Sequence, residues 1–188
     1  FSKGQTERLK FNDFFYRRAF FSSSVTLEFK TKNCRFGFDY FIADVSSKDT
    51  LDVTINGKRV YSYKVSESDE KGEIVFAVEN TDENAENEVV VYFPIDADFA
   101  VRNFRVSEKI SPVERKTKVL WIGDSITQGY GTFQTSESFT NLCRKKFGFE
   151  ILNQGIGGYY HDAGCLMPLE KFLSLIHISE PTRQAEIS

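Results

Sequence analysis

The sequence predicts two domains: an all-β sandwich or jelly roll over residues 1–110, then the start of an α/β domain with a parallel sheet over residues 118–172. Three observations predict this. The first half alternates apolar and polar residues in short runs, with turn residues between them and no helical stretch. The run Val119-Leu120-Trp121-Ile122 is continuously apolar, as in a strand buried on both faces. One stretch of helical period separates it from the next short apolar run, which makes a strand–helix–strand unit.

Composition bounds the function. Apolar residues make up 40% and charged residues 27% of the 188 residues, as in soluble globular chains. A net charge of −3 points away from a polyanion-binding surface, and so from nucleic acid. No run of about 18 apolar residues occurs, so no membrane-spanning helix is expected. The chain begins at Phe1 without a charged-then-apolar leader, which leaves its compartment open. Cys34, Cys143 and Cys165 are odd in number and widely spaced, which argues against a disulfide framework. No CxxC pair suggests zinc.

Val25, Leu27 and Phe29 alternate with Thr26, Glu28 and Lys30, the period of a half-buried strand. Cys34, Phe36, Phe38 and Tyr40 continue it. Leu51, Val53 and Ile55 lead into Asn56-Gly57, and Tyr61, Tyr63 and Val65 follow. Asn-Gly between alternating runs predicts a hairpin, because a type I′ turn needs positive φ at both central positions. Residues 74–78, 89–93 and 99–106 add three strands. Two acidic stretches, 66–72 and 79–88, interrupt this half. Their carboxylates could hold calcium, which takes oxygen ligands. Without EF-hand spacing they read as solvated hairpin loops.

Residues 107–116 are polar and proline-containing, and residues 111–117 read as the linker. Residues 136–147 then have helical period. Phe139, Leu142, Cys143 and Phe147 share one face, with Arg144, Lys145 and Lys146 largely off it, and Gly148 can cap the end. Glu150-Ile-Leu-Asn153 is a second short strand. Two parallel strands alone would leave an edge and apolar faces uncovered. The β region is therefore expected to fold by itself and the second half to be sticky.

Ligands gather beyond the carboxyl ends of parallel strands. Gly123-Asp124-Ser125 ends the first strand, and Asn153-Gln-Gly-Ile-Gly-Gly158 ends the second. Glycines there let backbone N–H groups approach a substrate closely. An exposed serine beside a glycine loop is what acyl transfer needs. Gly155-x-Gly157-Gly158 lacks the dinucleotide spacing and follows the wrong strand for it.

Gly-Asp-Ser-Ile-Thr-Gln-Gly resembles the first signature block of the SGNH hydrolases, the GDSL esterase/lipase family. Asn-Gln-Gly-Ile-Gly-Gly resembles their second block. The all-β first half is similar, in strand order alone, to two-domain members with a jelly-roll-like domain. The resemblance implies a three-layer, flavodoxin-like hydrolase domain. It implies Ser125 as nucleophile and first oxyanion donor, Gly158 as second donor, and Asp124 and Asn153 as supporting residues, Asp124 ordering the turn. It implies no cofactor and no metal. The family's Asn-bearing third block and terminal Asp-x-x-His are not found after Gly158, so the chain is expected to be a C-terminally truncated and inactive form.

His161 and Asp162 lie close behind the glycine loop, where the family does not place its base, and read as surface polar residues. Cys165 with them makes a poor metal site. Residues 173–188 resemble the in-frame translation of a sequencing adapter, which would exclude His177 from catalysis. Two functions are open. The first is a serine esterase or deacylase acting on small-molecule or glycan esters, carbohydrate acetyl esters among them. The alternative is a carbohydrate-binding β module with a degenerate hydrolase portion. Alternating aromatics are more often core than a sugar platform.

Overall fold

The computed structural model describes residues 1–45, 50–65, 69–79 and 85–160, together with the backbone of Ile178–Ser179. Two helices open the chain, α1 (Lys3–Leu9) and α2 (Asp13–Arg18). Eight strands follow: β1 (Thr26–Thr31), β2 (Cys34–Val45), β3 (Thr50–Ile55), β4 (Lys58–Lys64), β5 (Lys71–Val78), β6 (Asn87–Tyr92), β7 (Ala97–Val106) and β8 (Ser111–Pro112). Then come β9 (Thr117–Gly123), α3 (Ser125–Gln128), a 3-10 turn (Thr135–Glu137), α4 (Phe139–Phe147), β10 (Phe149–Gly155) and β11 (Ile178–Ser179).

The strands form two antiparallel sheets, ordered β4-β3-β6-β1-β8 and β5-β2-β7, and a parallel sheet ordered β10-β9-β11. Period-2 alternation sends alternate side chains of both antiparallel sheets into one core. Phe29, Phe36, Phe38, Leu51, Val53, Phe76, Val89 and Val91 meet there. Phenylalanines pack on one another here, with Phe36 stacked on Phe29 at 4.9 Å and set against Phe76 at 5.3 Å. Each such ring contributes roughly 1.5–3 kcal/mol by leaving water. Asn56 and Gly57 take φ of 51° and 75°, the left-handed pair that closes β3 onto β4.

β9 and β10 run parallel from Thr117↔Phe149 to Gly123↔Gly155, joined by α3 and α4. Gly148 ends α4 with φ of 68°. A two-residue strand from the segment set apart as adapter-like also pairs with β9, opposite Leu120 and Trp121. A bare strand edge offers a row of backbone groups to any extended segment, which explains that pairing.

Three features depart from expectation. Residues 1–19 hold two short helices: Ser2 and Gln5 form a capping box, and Asn12 caps α2. These helices pack on the far end of the chain, where Leu9, Phe15 and Tyr16 cluster with Ile156 and Tyr159. The polar stretch after β7 is held down rather than free. Ser111 and Pro112 pair with β1, and Arg115 forms ion pairs with Glu28 at 2.8 Å and Glu88 at 2.7 Å. In α4 the buried residues are Thr140, Asn141 and Arg144, while Leu142 and Phe147 stay about half exposed.

The buried side of α4 is polar because its partners are polar. Arg144 donates to Glu28 at 2.6 Å and to the Ser24 carbonyl at 2.6 Å, and it also bonds Thr26. Asp52, fully buried on β3, accepts from the Ser136 N–H at 2.8 Å and hydroxyl at 2.6 Å, from Thr50 at 2.6 Å and from Ser62 at 2.7 Å. Burial pushes the Glu28 carboxyl up, but the guanidiniums of Arg144 and Arg115 outweigh it and hold it below the usual carboxylate range. The junction between the β region and the parallel sheet is thus a set of largely buried hydrogen bonds, in which Arg144 Nε and Asn141 Oδ1 are left without a partner among the described residues. Residues 66–68 and 80–84 of the acidic loops lie outside the described residues.

Candidate active site

β9 ends at Gly123, and the chain turns straight into α3. Asp124 is the cap, its Oδ1 accepting the Ile126 N–H at 2.9 Å. Ser125 occupies the first helical position, where a backbone N–H has no intrahelical acceptor. The helix closes after one turn at Gly129, φ 96°.

This turn sits directly on the strand ends. A Cβ at Gly123 would lie 2.1 Å from Thr127 Oγ1, and one at Gly155 would lie 2.3 Å from the Gln128 N. Only glycine allows that approach. Asn153 ties the two motifs together. Its Nδ2 donates to the Thr127 carbonyl at 2.7 Å and to Ser24 Oγ at 3.0 Å, and its Oδ1 accepts the Gly155 N–H at 2.8 Å. The Ile156 N–H returns to the Gly123 carbonyl at 3.0 Å.

Beyond β10 the loop passes beside the serine. A Cβ at Gly157 would lie 3.5 Å from Ser125 Cβ, and Gly158 follows with φ of 76°. Ser125, Asp124, Asn153 and Gly158 are therefore grouped at the carboxyl ends of β9 and β10. His161, Asp162, Cys165 and His177 lie outside the described residues. Among the described residues no group of metal-ligating side chains occurs.

Sequence patterns miss three residues of this site. Gln128, wholly buried, accepts the Gly157 N–H through Oε1 at 2.8 Å. Its Nε2 donates to Asp96 Oδ1 at 2.9 Å, and Arg18 of α2 donates to the same oxygen at 3.0 Å. The guanidinium lies 4.4 Å from the centre of the Phe14 ring. Gln128 is visible inside the first motif. Asp96 and Arg18 are 32 and 110 positions away from it, with no local signal.

No protein-family model matches the chain, and no curated protein matches it by sequence. Solved structures do match its fold. A GDSL-like lipase from Bacteroides ovatus superposes with a TM-score of 0.63 at 18% identity, over 82% of this chain and 50% of that one. The salicylyl-acyltransferase SsfX3 of a tetracycline biosynthetic pathway gives 0.59 at 18% identity, over 79% and 44%. The acetyl xylan esterase Est2A from Butyrivibrio proteoclasticus gives 0.50 at 16% identity, over 75% and 42%. The chain thus spans half or less of the length of these structures. In fold, it groups with the GDSL-like lipases and carbohydrate esterases.

Proposed function

We propose that the native protein is a serine esterase or deacylase of the SGNH type. Ser125 attacks the carbonyl carbon of an ester, the alcohol leaves, and water releases the acyl group from the serine. The Ser125 and Gly158 N–H groups carry the oxyanion, and Asp124 and Asn153 hold the turn and the loop in place. The observation that carries this reading is the packing of the Gly157-Gly158 loop against Ser125, beyond two adjacent parallel strands.

The similar structures support a choice of substrate class. An acetyl xylan esterase and a carbohydrate esterase share the fold, which favours an acetylated glycan. That step is an analogy of fold. The antiparallel sheets are read as a jelly-roll-like domain before the hydrolase domain, with residues 111–117 between them. Against the reading as a glycan-binding module stands the burial of Phe29, Phe36, Phe38, Phe76 and Phe93 in the core, while Phe41, Tyr63 and Phe104 are exposed.

The general base and its carboxylate belong, on this reading, to native sequence that residues 173–188 do not supply. Long sequencing reads across the locus test this: an Asn-bearing block and Asp-x-x-His after Phe172 are expected, and a gene continuous with the 173–188 tail contradicts it. The activity test is p-nitrophenyl acetate hydrolysis by the full-length native protein and its Ser125→Ala variant. The variant should lose on the order of 10⁴- to 10⁶-fold in kcat. Undiminished turnover contradicts the reading.

A further inference from the structure

We infer that Gln128 is a positioning residue for the loop facing Ser125, with Asp96 and Arg18 setting the orientation of its carboxamide. This rests on the reading of Ser125 as nucleophile and of Gly158 as an oxyanion donor.

A carboxamide offers an acceptor at one end and two donors at the other, so its orientation is a choice. Asp96 makes that choice here. Its carboxylate is wholly buried, accepts at 2.9 Å from Gln128, and as an anion can only accept. The NH2 end must therefore face Asp96, and the oxygen must face the loop. There it takes the Gly157 N–H at 2.8 Å. Arg18 Nη1 reinforces both sides, 3.0 Å from Asp96 Oδ1 and 3.4 Å from Gln128 Oε1. The Arg18 and Asp96 side chains are 11% and 1% exposed, so these bonds act where water screens them little.

The consequence falls on the neighbouring peptide. The Gly157 N–H is bound by the protein itself and so is not available to a substrate. The next N–H, that of Gly158, follows at a residue with φ of 76° and has no acceptor among the described residues. Gln128 thereby selects which amide of the loop meets the oxyanion. It also makes α2 and the β6–β7 connection part of the catalytic framework, since Arg18 and Asp96 come from them.

The test combines kinetics of the native full-length protein with amide exchange in the 188-residue chain. Gln128→Met keeps the volume and removes both polar contacts. It should lower kcat by about 10²-fold with KM nearly unchanged, the mark of a group acting in the transition state. Gly157 amide exchange should quicken while that of β9 does not. Asp96→Asn combined with Gln128→Glu reverses the donor and acceptor between these two positions. It leaves an oxygen for Gly157 and an anion at position 128 for Arg18, at the cost of the oxygen of residue 96 that Arg18 shares, and should recover part of the kcat lost in Gln128→Glu alone. Unchanged kcat in Gln128→Met, when Ser125→Ala made separately abolishes turnover, overturns the inference. Should Gln128→Met fail to fold, Gln128→Glu alone decides: equal kcat in this single variant and in the double variant overturns the inference. Turnover that survives Ser125→Ala overturns the nucleophile reading instead, and this inference with it.

Discussion

Gly123 and Gly155 are in-register neighbours on β9 and β10, and the single turn of helix after Asp124 lies across both. Neither position has room for a methyl group. The pair lets the serine turn settle on the strand ends, which brings Ser125 beside the second loop.

The close approach predicts an uneven tolerance to alanine. Gly155→Ala would place a carbon 2.3 Å from backbone that cannot rotate away. A loss of about 3 kcal/mol is expected, at the upper end of ordinary overpacking. Gly158→Ala meets nothing nearer than Phe15 at 3.9 Å and carries only the strain of a left-handed φ, roughly 1–2 kcal/mol. Urea titrations of both variants check the order; a milder effect at Gly155 would show that α3 sits less firmly than described.

The buried junction predicts cooperative unfolding. Asp52, Arg144 and Glu28 join the β region to the segment around α4 through hydrogen bonds that neither side can satisfy alone. The sole tryptophan, Trp121, lies on β9 and reports on the parallel sheet. Its fluorescence should change at the same urea concentration as far-UV circular dichroism, which follows the antiparallel sheets. An earlier fluorescence transition would instead support a β region that folds by itself.

Removing the junction carboxylate should cost much more than a surface change. Asp52→Ala leaves the Ser136 N–H and the hydroxyls of Ser136 and Thr50 without their acceptor at buried positions. A destabilisation of about 3 kcal/mol or more is expected. Scanning calorimetry of the variant checks this.

Acid should loosen the same junction. The folded Glu28 carboxyl sits below its ordinary value, because two guanidiniums outweigh the burial that pushes it up. A depressed pKa means that the unfolded chain binds the proton more readily. Glu28 therefore adds stability above the ordinary glutamate pKa of about 4.3, and that contribution fades as pH falls through the lower folded value. As pH falls from about 4.3 through the lower folded value, stability should decline less steeply in Glu28→Gln than in wild type. An identical acid limb would contradict the assignment.

Much of this was legible from residue order. The strand periods of Val25 to Phe29 and Cys34 to Tyr40, the Asn56-Gly57 turn, and the Gly-Asp-Ser turn each carry a local physical requirement. What was hidden depends on partners distant in sequence. Gln5 meets Gln154 from 149 positions away, so nothing near residue 5 announces where α1 docks. The apolar stripe of Phe139, Leu142 and Phe147 has the right period, yet Arg144 takes the buried side because Glu28 and Ser24 wait for it. In the site, the glycines and the serine were readable as motifs. The Arg18–Asp96–Gln128 chain was not, because its logic is the orientation of one amide.

The central claim concerns one atom, the Ser125 Oγ. Mass spectrometry of the native full-length protein, acid-quenched during p-nitrophenyl acetate turnover, tests it most directly. The account predicts an acetyl group on the peptide carrying Ser125, and neither label nor turnover in Ser125→Ala. An acetyl group on a different side chain in a turning-over enzyme, or steady turnover by Ser125→Ala, would contradict it.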